Sequence, residues 1–153
     1  AQDTHTARIS VLNVKNVPGV AHMVFEALAD EHIDVDMIVQ SVQRSNDDLT
    51  DIIFTITDTD LADARRVLGE LQSQEKLTTI IYDDNMAKVS IVGAGMLGTP
   101  GVAARMFGAL GRVGVNILIV STSEISVSCL INRDDVAKAI QAIHKEFWGN
   151  KTA

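Results

Sequence analysis

The residues of this chain best placed to do chemistry surround Pro18-Gly19, and they suit recognition of a small zwitterion. A helix start leaves backbone N–H groups without partners and carries partial positive charge. Pro18 suits the first position of a helix, and Val17 before it has no side chain able to accept a hydrogen bond. Amides left free in this way suit a carboxylate. Gly19 lets the backbone approach a ligand closely. Asn16 and Asp36 are candidates for an ammonium group, and Gln40, four residues beyond Asp36, shares its strand face. The plainer alternative is an uncapped helix over water and a solvated Asp36.

The elements that must position these residues occur twice. Pro18-Gly19-Val20-Ala21, Phe25, Ala27 and Leu28 return 82 positions later as Pro100-Gly101-Val102-Ala103, Phe107, Ala109 and Leu110. With Ser41 and Ser123, eight of the 24 aligned positions from 18 to 41 are identical. A repeat within 153 residues means two small copies of one unit, and units of that size usually need to pack against each other.

In the first copy, residues 9–14 read as a strand and 13–16 as a turn. A helix follows from Pro18, with Val20, Ala21, Val24, Phe25 and Leu28 at helical spacing. Residues 33–42 read as a strand, 44–48 as a polar hairpin turn, and 50–57 as a strand with Ile52, Phe54 and Ile56 on one face. Asp60 caps a second helix striped by Leu61, Ala64, Leu68 and Leu71, and 77–82 close the unit as a strand. The second copy repeats the order: strand 88–93, helix 100–113, strands 116–121 and 125–131, and a helix capped by Asp134 or Asp135. Thr99 is placed to cap the first of those helices. Residues 148–153 are too short and polar for a fourth strand, so residues 1–6 or another chain are expected on that sheet edge. The order βαββαβ is ferredoxin-like: an α+β fold with an antiparallel sheet and helices on one face.

Composition removes several function classes. A net charge of −7 opposes nucleic-acid and anionic-membrane surfaces, which are met largely through Lys and Arg. No apolar run approaches the ~20 residues that cross a bilayer, and the polar N-terminus is unlike a signal peptide. The single Cys129 has no partner for an internal disulfide, which suits a reducing cytoplasm. Its alternation with Val127 and Ile131 makes it a core residue, not a nucleophile. Gly93-Ala94-Gly95-Met96-Leu97-Gly98 fits the dinucleotide pattern G-x-G-x-x-G. However, no acidic residue lies between Gly98 and Glu124 to meet a ribose, and too little chain follows for a mononucleotide-binding half. His5, His22, His32 and His144 are scattered without metal-ligand spacing. No catalytic residue, metal site or cofactor is expected.

The run Asn16 through Ala21, the run Asp36-Met37-Ile38-Val39-Gln40 and the segment Thr50-Asp51-Ile52-Ile53-Phe54-Thr55, within this duplication, resemble the paired ACT domains of aspartate kinase. So do Tyr82-Asp83-Asp84, the run Lys88 through Met96, Val115-Asn116-Ile117, and Ser121-Thr122-Ser123-Glu124-Ile125-Ser126. The resemblance implies ACT domains at 7–84 and 85–150. It also implies a regulatory β subunit or C-terminal regulatory region, without the catalytic domain and its KFGGT-type start. Such a chain is no enzyme by itself but belongs to an ATP-dependent phosphotransferase acting on the aspartate carboxylate. The expected partners are the catalytic domain or α subunit and a second copy of the chain, in the cytoplasm.

The resemblance further implies feedback inhibition by threonine, lysine or both, bound at ACT–ACT interfaces. Val14, Asn16, Pro18, Gly19, Val20, Ala21 and Gln40 would meet the effector, with Asn116 and Ile117 from a second-copy strand. Asp36, Ala103, Ser123 and Glu124 would line a companion site. Asn16 departs from the acidic residue common there, and Ser41 from the usual Asn. These departures support the rival expectation, a structural dimerisation subunit that no longer binds an effector.

Overall fold

The computed structural model describes residues 2–42, 48–93 and 100–149. The glycine motif beyond Gly93, the cap expected at Thr99, most of the polar hairpin at 44–48 and residues 150–153 lie outside the described residues. The chain divides into two compact units, one of His5–Asp84 and one of Ala1–Thr4 with Asn85–Ala153. The first contains most of β1 (Gln2–Lys15), α1 (Val20–Asp30), β2 (Ile38–Val42), β3 (Leu49–Thr57), α2 (Leu61–Ser73) and the start of β4 (Thr79–Val92). The second contains the rest of β4, then α3 (Val102–Arg112), β5 (Ile119–Thr122), β6 (Ser126–Asn132) and α4 (Val136–Trp148). Strand order is β2-β3-β1-β4 in the first unit and β4-β6-β5 in the second, and the β1–β3, β2–β3, β4–β6 and β5–β6 pairs are antiparallel. The ferredoxin-like α+β expectation holds.

Four local expectations need correction. The strands read at 77–82 and 88–93 are one uninterrupted strand, β4. Its polar middle is satisfied laterally: Arg8 stands 3.8 Å from Asp83, and Asn85 Nδ2 donates to Asn132 Oδ1 at 2.9 Å. Residues 13–16 are not a turn. Asn13 sits at φ 58 inside a bulge where the β1–β3 register shifts between Val11 and Val14, and its N–H donates to Asp51 Oδ1 at 3.0 Å. The strand expected from residue 33 begins only at Ile38, although Asp36 N–H donates to the Thr55 carbonyl at 3.0 Å. Finally, α1 begins at Val20 and α3 at Val102, because Gly19 (φ 92) and Gly101 (φ 89) take the N-cap position in the left-handed region. Pro18 therefore precedes the helix by two residues, and Val17 instead accepts a turn bond from Val20 N–H at 3.3 Å. Asp60 and Asp135 do occupy N-cap positions but make no side-chain cap bond, while Asn132 accepts from Asp134 N–H at 3.0 Å.

Each unit has its own core. In the first, Ile9, Val11, Ile52, Phe54 and Ile56 of the sheet bury against Val24, Leu28, Ala64 and Leu68 of the helices. Phe25 meets Phe54 edge-on with centroids 5.2 Å apart, the arrangement that ring quadrupoles favour. In the second, Val89, Ile91, Val127, Cys129 and Ile131 face Met106, Leu110, Ala139 and Ile143. Fully burying each large side chain contributes about 1.5–3 kcal/mol before entropy is counted.

Burial pushes the Cys129 thiol up from 9.0 to about 11. The folded chain then holds this proton more tightly than the unfolded one. The associated stability is complete below the unfolded value near 9.0 and is lost as pH rises through about 11. Ellman's reagent at pH 8 should leave Cys129 essentially unmodified in the folded protein and label it in denaturant. Rapid labelling of folded protein would contradict this burial.

Candidate functional site

In the first unit three connections meet at one end of the sheet. Asn16 N–H donates to the Asp48 carbonyl at 2.8 Å, tying the segment after β1 to the residue before β3. Val17 N–H closes a tight turn onto the Lys15 carbonyl at 2.9 Å. The left-handed Gly19 then swings the chain into α1, whose first intrahelical bond runs from Met23 N–H to the Gly19 carbonyl at 3.0 Å. The Ala21 and His22 amides in between have no hydrogen-bond partner among the described residues. They are donors at a positive helix end.

Beside this loop lies an open cavity of about 440 Å³. Val14, Pro18, Gly19 and Val20 line it, as do Lys15, Val17 and Met23. Its far wall is the turn between α2 and β4, with Glu75, Lys76 and Thr78. Sequence reasoning missed that wall, because nothing local in residues 75–78 signals proximity to a loop some 60 positions earlier in the chain. Met23 was legible as a helical position but not as a lining residue.

The remaining expected residues are distributed. Ala21 packs, partly buried, against the first core. Gln40 is exposed on β2 opposite Ile52, two residues of β3 from the Thr50 that pairs with Val14. That is about 7 Å along the strand. Asp36 is exposed before β2, and its N–H bonds the Thr55 carbonyl. Six residues of β3 separate Thr55 from the Leu49 that pairs with Lys15, about 20 Å. The expectation that Asp36 shares an ammonium with Asn16 is therefore corrected.

In the second unit Ala103 lies in the first turn of α3. Ser123 and Glu124 form the β5–β6 hairpin, where Ser123 N–H donates to the Ser126 carbonyl at 2.8 Å. Ile125 N–H donates to Ser123 Oγ at 3.3 Å, so Glu124 is held at an exposed tip. Asn116 and Ile117 stand before β5, beside Leu118, whose N–H donates to the Leu130 carbonyl at 2.9 Å. Four residues of β6 separate Leu130 from Ser126, about 14 Å. Ile117 packs partly buried against the second core, and Asn116 borders a separate cavity of about 320 Å³ with Leu118, Asn132, Asp134 and Asp135. Neither unit alone brings all the expected residues together.

Among the described residues no group of three or more His, Cys, Asp and Glu side chains is arranged to hold a metal ion. No described helix is long and apolar enough to cross a membrane. What the loop end offers is recognition: free amides, an apolar wall and nearby charges.

Two units share one order of elements, each with a left-handed glycine opening its first helix, and the ACT domain model matches the chain at residues 9–71 and 89–147. The chain belongs to the ACT domain family and carries two copies of the domain. Within that family it matches the regulatory part of aspartokinase. It is 46% identical over 147 residues to an aspartokinase of Corynebacterium glutamicum, covering 96% of this chain and 35% of that protein. It is similar to a chain in the crystal structure of aspartokinase alpha and beta subunits, with TM-score 0.88, 41% identity, and 96% and 95% of the two chains covered. The ligand-free regulatory subunit of aspartate kinase from Thermus thermophilus matches with TM-score 0.89 and 35% identity, again over 96% and 95%. The chain thus spans 35% of the length of the curated Corynebacterium relative.

Proposed function

We propose that this chain is the effector-binding regulatory part of an aspartate kinase, sensing threonine, lysine or both and lowering the activity of an attached or partner catalytic domain. The observation that carries this reading is the first unit's loop end, where the Ala21 and His22 amides remain free beside an apolar cavity. A carboxylate suits such donors. The likeness to aspartokinase regulatory subunits supplies the pathway, since threonine and lysine are end products built from aspartate. The partners in this reading are the kinase catalytic domain or α subunit and a second copy of the chain, in the cytoplasm. Asn116 and Ile117, from the second ACT domain of a partner copy, would meet the effector, while Asp36, Ala103, Ser123 and Glu124 would line a companion site.

Allostery requires the ligand to prefer one of two arrangements. A site completed by a second copy offers that preference directly, because separating the copies removes half the contacts. Asn16 carries no charge, and a hydrogen bond to a charged group is worth roughly 1.5–3 kcal/mol. Affinity is therefore expected to depend on other groups for the ammonium.

Isothermal titration of the chain with threonine and with lysine tests the reading. Saturable heat with either supports it, and no heat with both at millimolar ligand removes it. Gln40→Ala is expected to weaken binding about fivefold, the equivalent of one ordinary hydrogen bond, with an unchanged melting temperature. Unchanged affinity would take Gln40 out of the site.

A second reading, a structural pairing subunit, is favoured by β2. It is an edge strand, exposed throughout, with Ile38 54% and Val42 50% accessible. Such an edge invites another strand. Sedimentation showing a dimer indifferent to every amino acid would select this reading.

A further inference from the structure

We propose that the turn between α2 and β4 supplies both charges for the first unit's amino-acid ligand: the Lys76 ammonium meets its α-carboxylate and the Glu75 carboxylate its α-ammonium. This assignment rests on the amino-acid-sensing reading and deepens it, because it names the groups that replace the charge missing at Asn16. The cavity of about 440 Å³ falls within the size range of small-ligand sites, roughly 300–1,000 Å³. Val14, Val17, Val20 and Met23 give its lining an apolar part, and Glu75 and Lys76 line it with Lys15. Neither charge is committed elsewhere, for neither makes an ion pair with a described residue. A carboxylate and an ammonium lining one cavity with aliphatic side chains complement a zwitterion with a short side chain.

The turn is held firmly enough to present them. Gln74 N–H donates to the Glu70 carbonyl at 3.1 Å, Glu75 N–H to Gln72 at 2.9 Å and Lys76 N–H to Leu71 at 2.9 Å. Gln72 Nε2 then reaches forward to the Thr78 carbonyl at 2.9 Å. Glu75 itself sits at φ 60, one of three non-glycine residues at positive φ among those described. The backbone of the turn is preformed in this way, so the freedom lost on binding is that of the two side chains.

Titration calorimetry at low salt, with threonine and with lysine on the full chain, tests the assignment. Glu75→Gln and Lys76→Met are each expected to weaken binding about fivefold, the upper range for an exposed ion pair. The loss should shrink at about 1 M salt, where screening is nearly complete. Glu70→Gln makes the same change in net charge on α2 away from the cavity and should alter affinity less than twofold. Glu75→Gly removes the carboxylate while suiting the positive φ, so it should bind weakly yet fold at least as well. Unaltered affinity in all the turn variants, with wild-type binding intact, overturns the assignment and leaves amino-acid sensing standing. Absence of binding by the wild-type chain removes both.

Discussion

Phe54→Ala is expected to destabilise the unit of His5–Asp84 by about 3–5 kcal/mol. Phe54 is fully buried at the centre of β3, beneath both helices of its unit. Its ring packs edge-on against Phe25 at 5.2 Å. Truncation removes that contact and leaves a ring-sized cavity in a sheet whose neighbours, Ile9 and Ile38, are fixed by register. Phe54→Leu keeps most of the volume and should cost about 1–2 kcal/mol. Urea denaturation of the chain measures both, and a loss below 1 kcal/mol for the alanine variant would contradict the packing.

Gly19→Ala should act in the opposite sense from Gly69→Ala, and the contrast is the second large effect. A methyl group at either position would meet nothing within 4 Å, so sterics do not separate them. Conformation does. Gly69 lies within α2, where alanine is the better helix former by about 0.5–1 kcal/mol. Gly19 sits at φ 92, where an L-residue is disfavoured by about 1–2 kcal/mol. Gly69→Ala should therefore raise the melting temperature and leave ligand affinity alone. Gly19→Ala should lower it and also weaken ligand binding, because relaxing φ re-aims the Ala21 and His22 amides. Equal melting shifts for the two variants would contradict the assigned N-cap geometry.

Much of this architecture was legible because periodicity survives packing. Val24 and Leu28 on α1, and Ile52, Phe54 and Ile56 on β3, are buried as their spacing requires. The misreadings share one cause: local signals that compete. Asp83-Asp84-Asn85 interrupts an apolar run and reads as a link, yet side-chain partners keep it in β4. Pro18 is pre-set for a first helical position, but the glycine after it takes the left-handed cap and delays the helix. Ile33, Val35 and Met37 alternate like a strand, although the ladder starts only at Ile38. The Pro-Gly loop was legible because the chain repeats it. The Glu75–Lys76 side of the cavity was not, because only the tertiary fold, with β4 laid beside β1, brings it to the loop.

The most direct test of amino-acid sensing follows backbone amides during a threonine titration of ¹⁵N-labelled protein. Progressive, saturable shifts at Gly19, Val20, Ala21 and His22, larger than those elsewhere in α1, are the expected result. Amides that stay in place while threonine is saturating, or shifts confined to residues away from this loop, would contradict it.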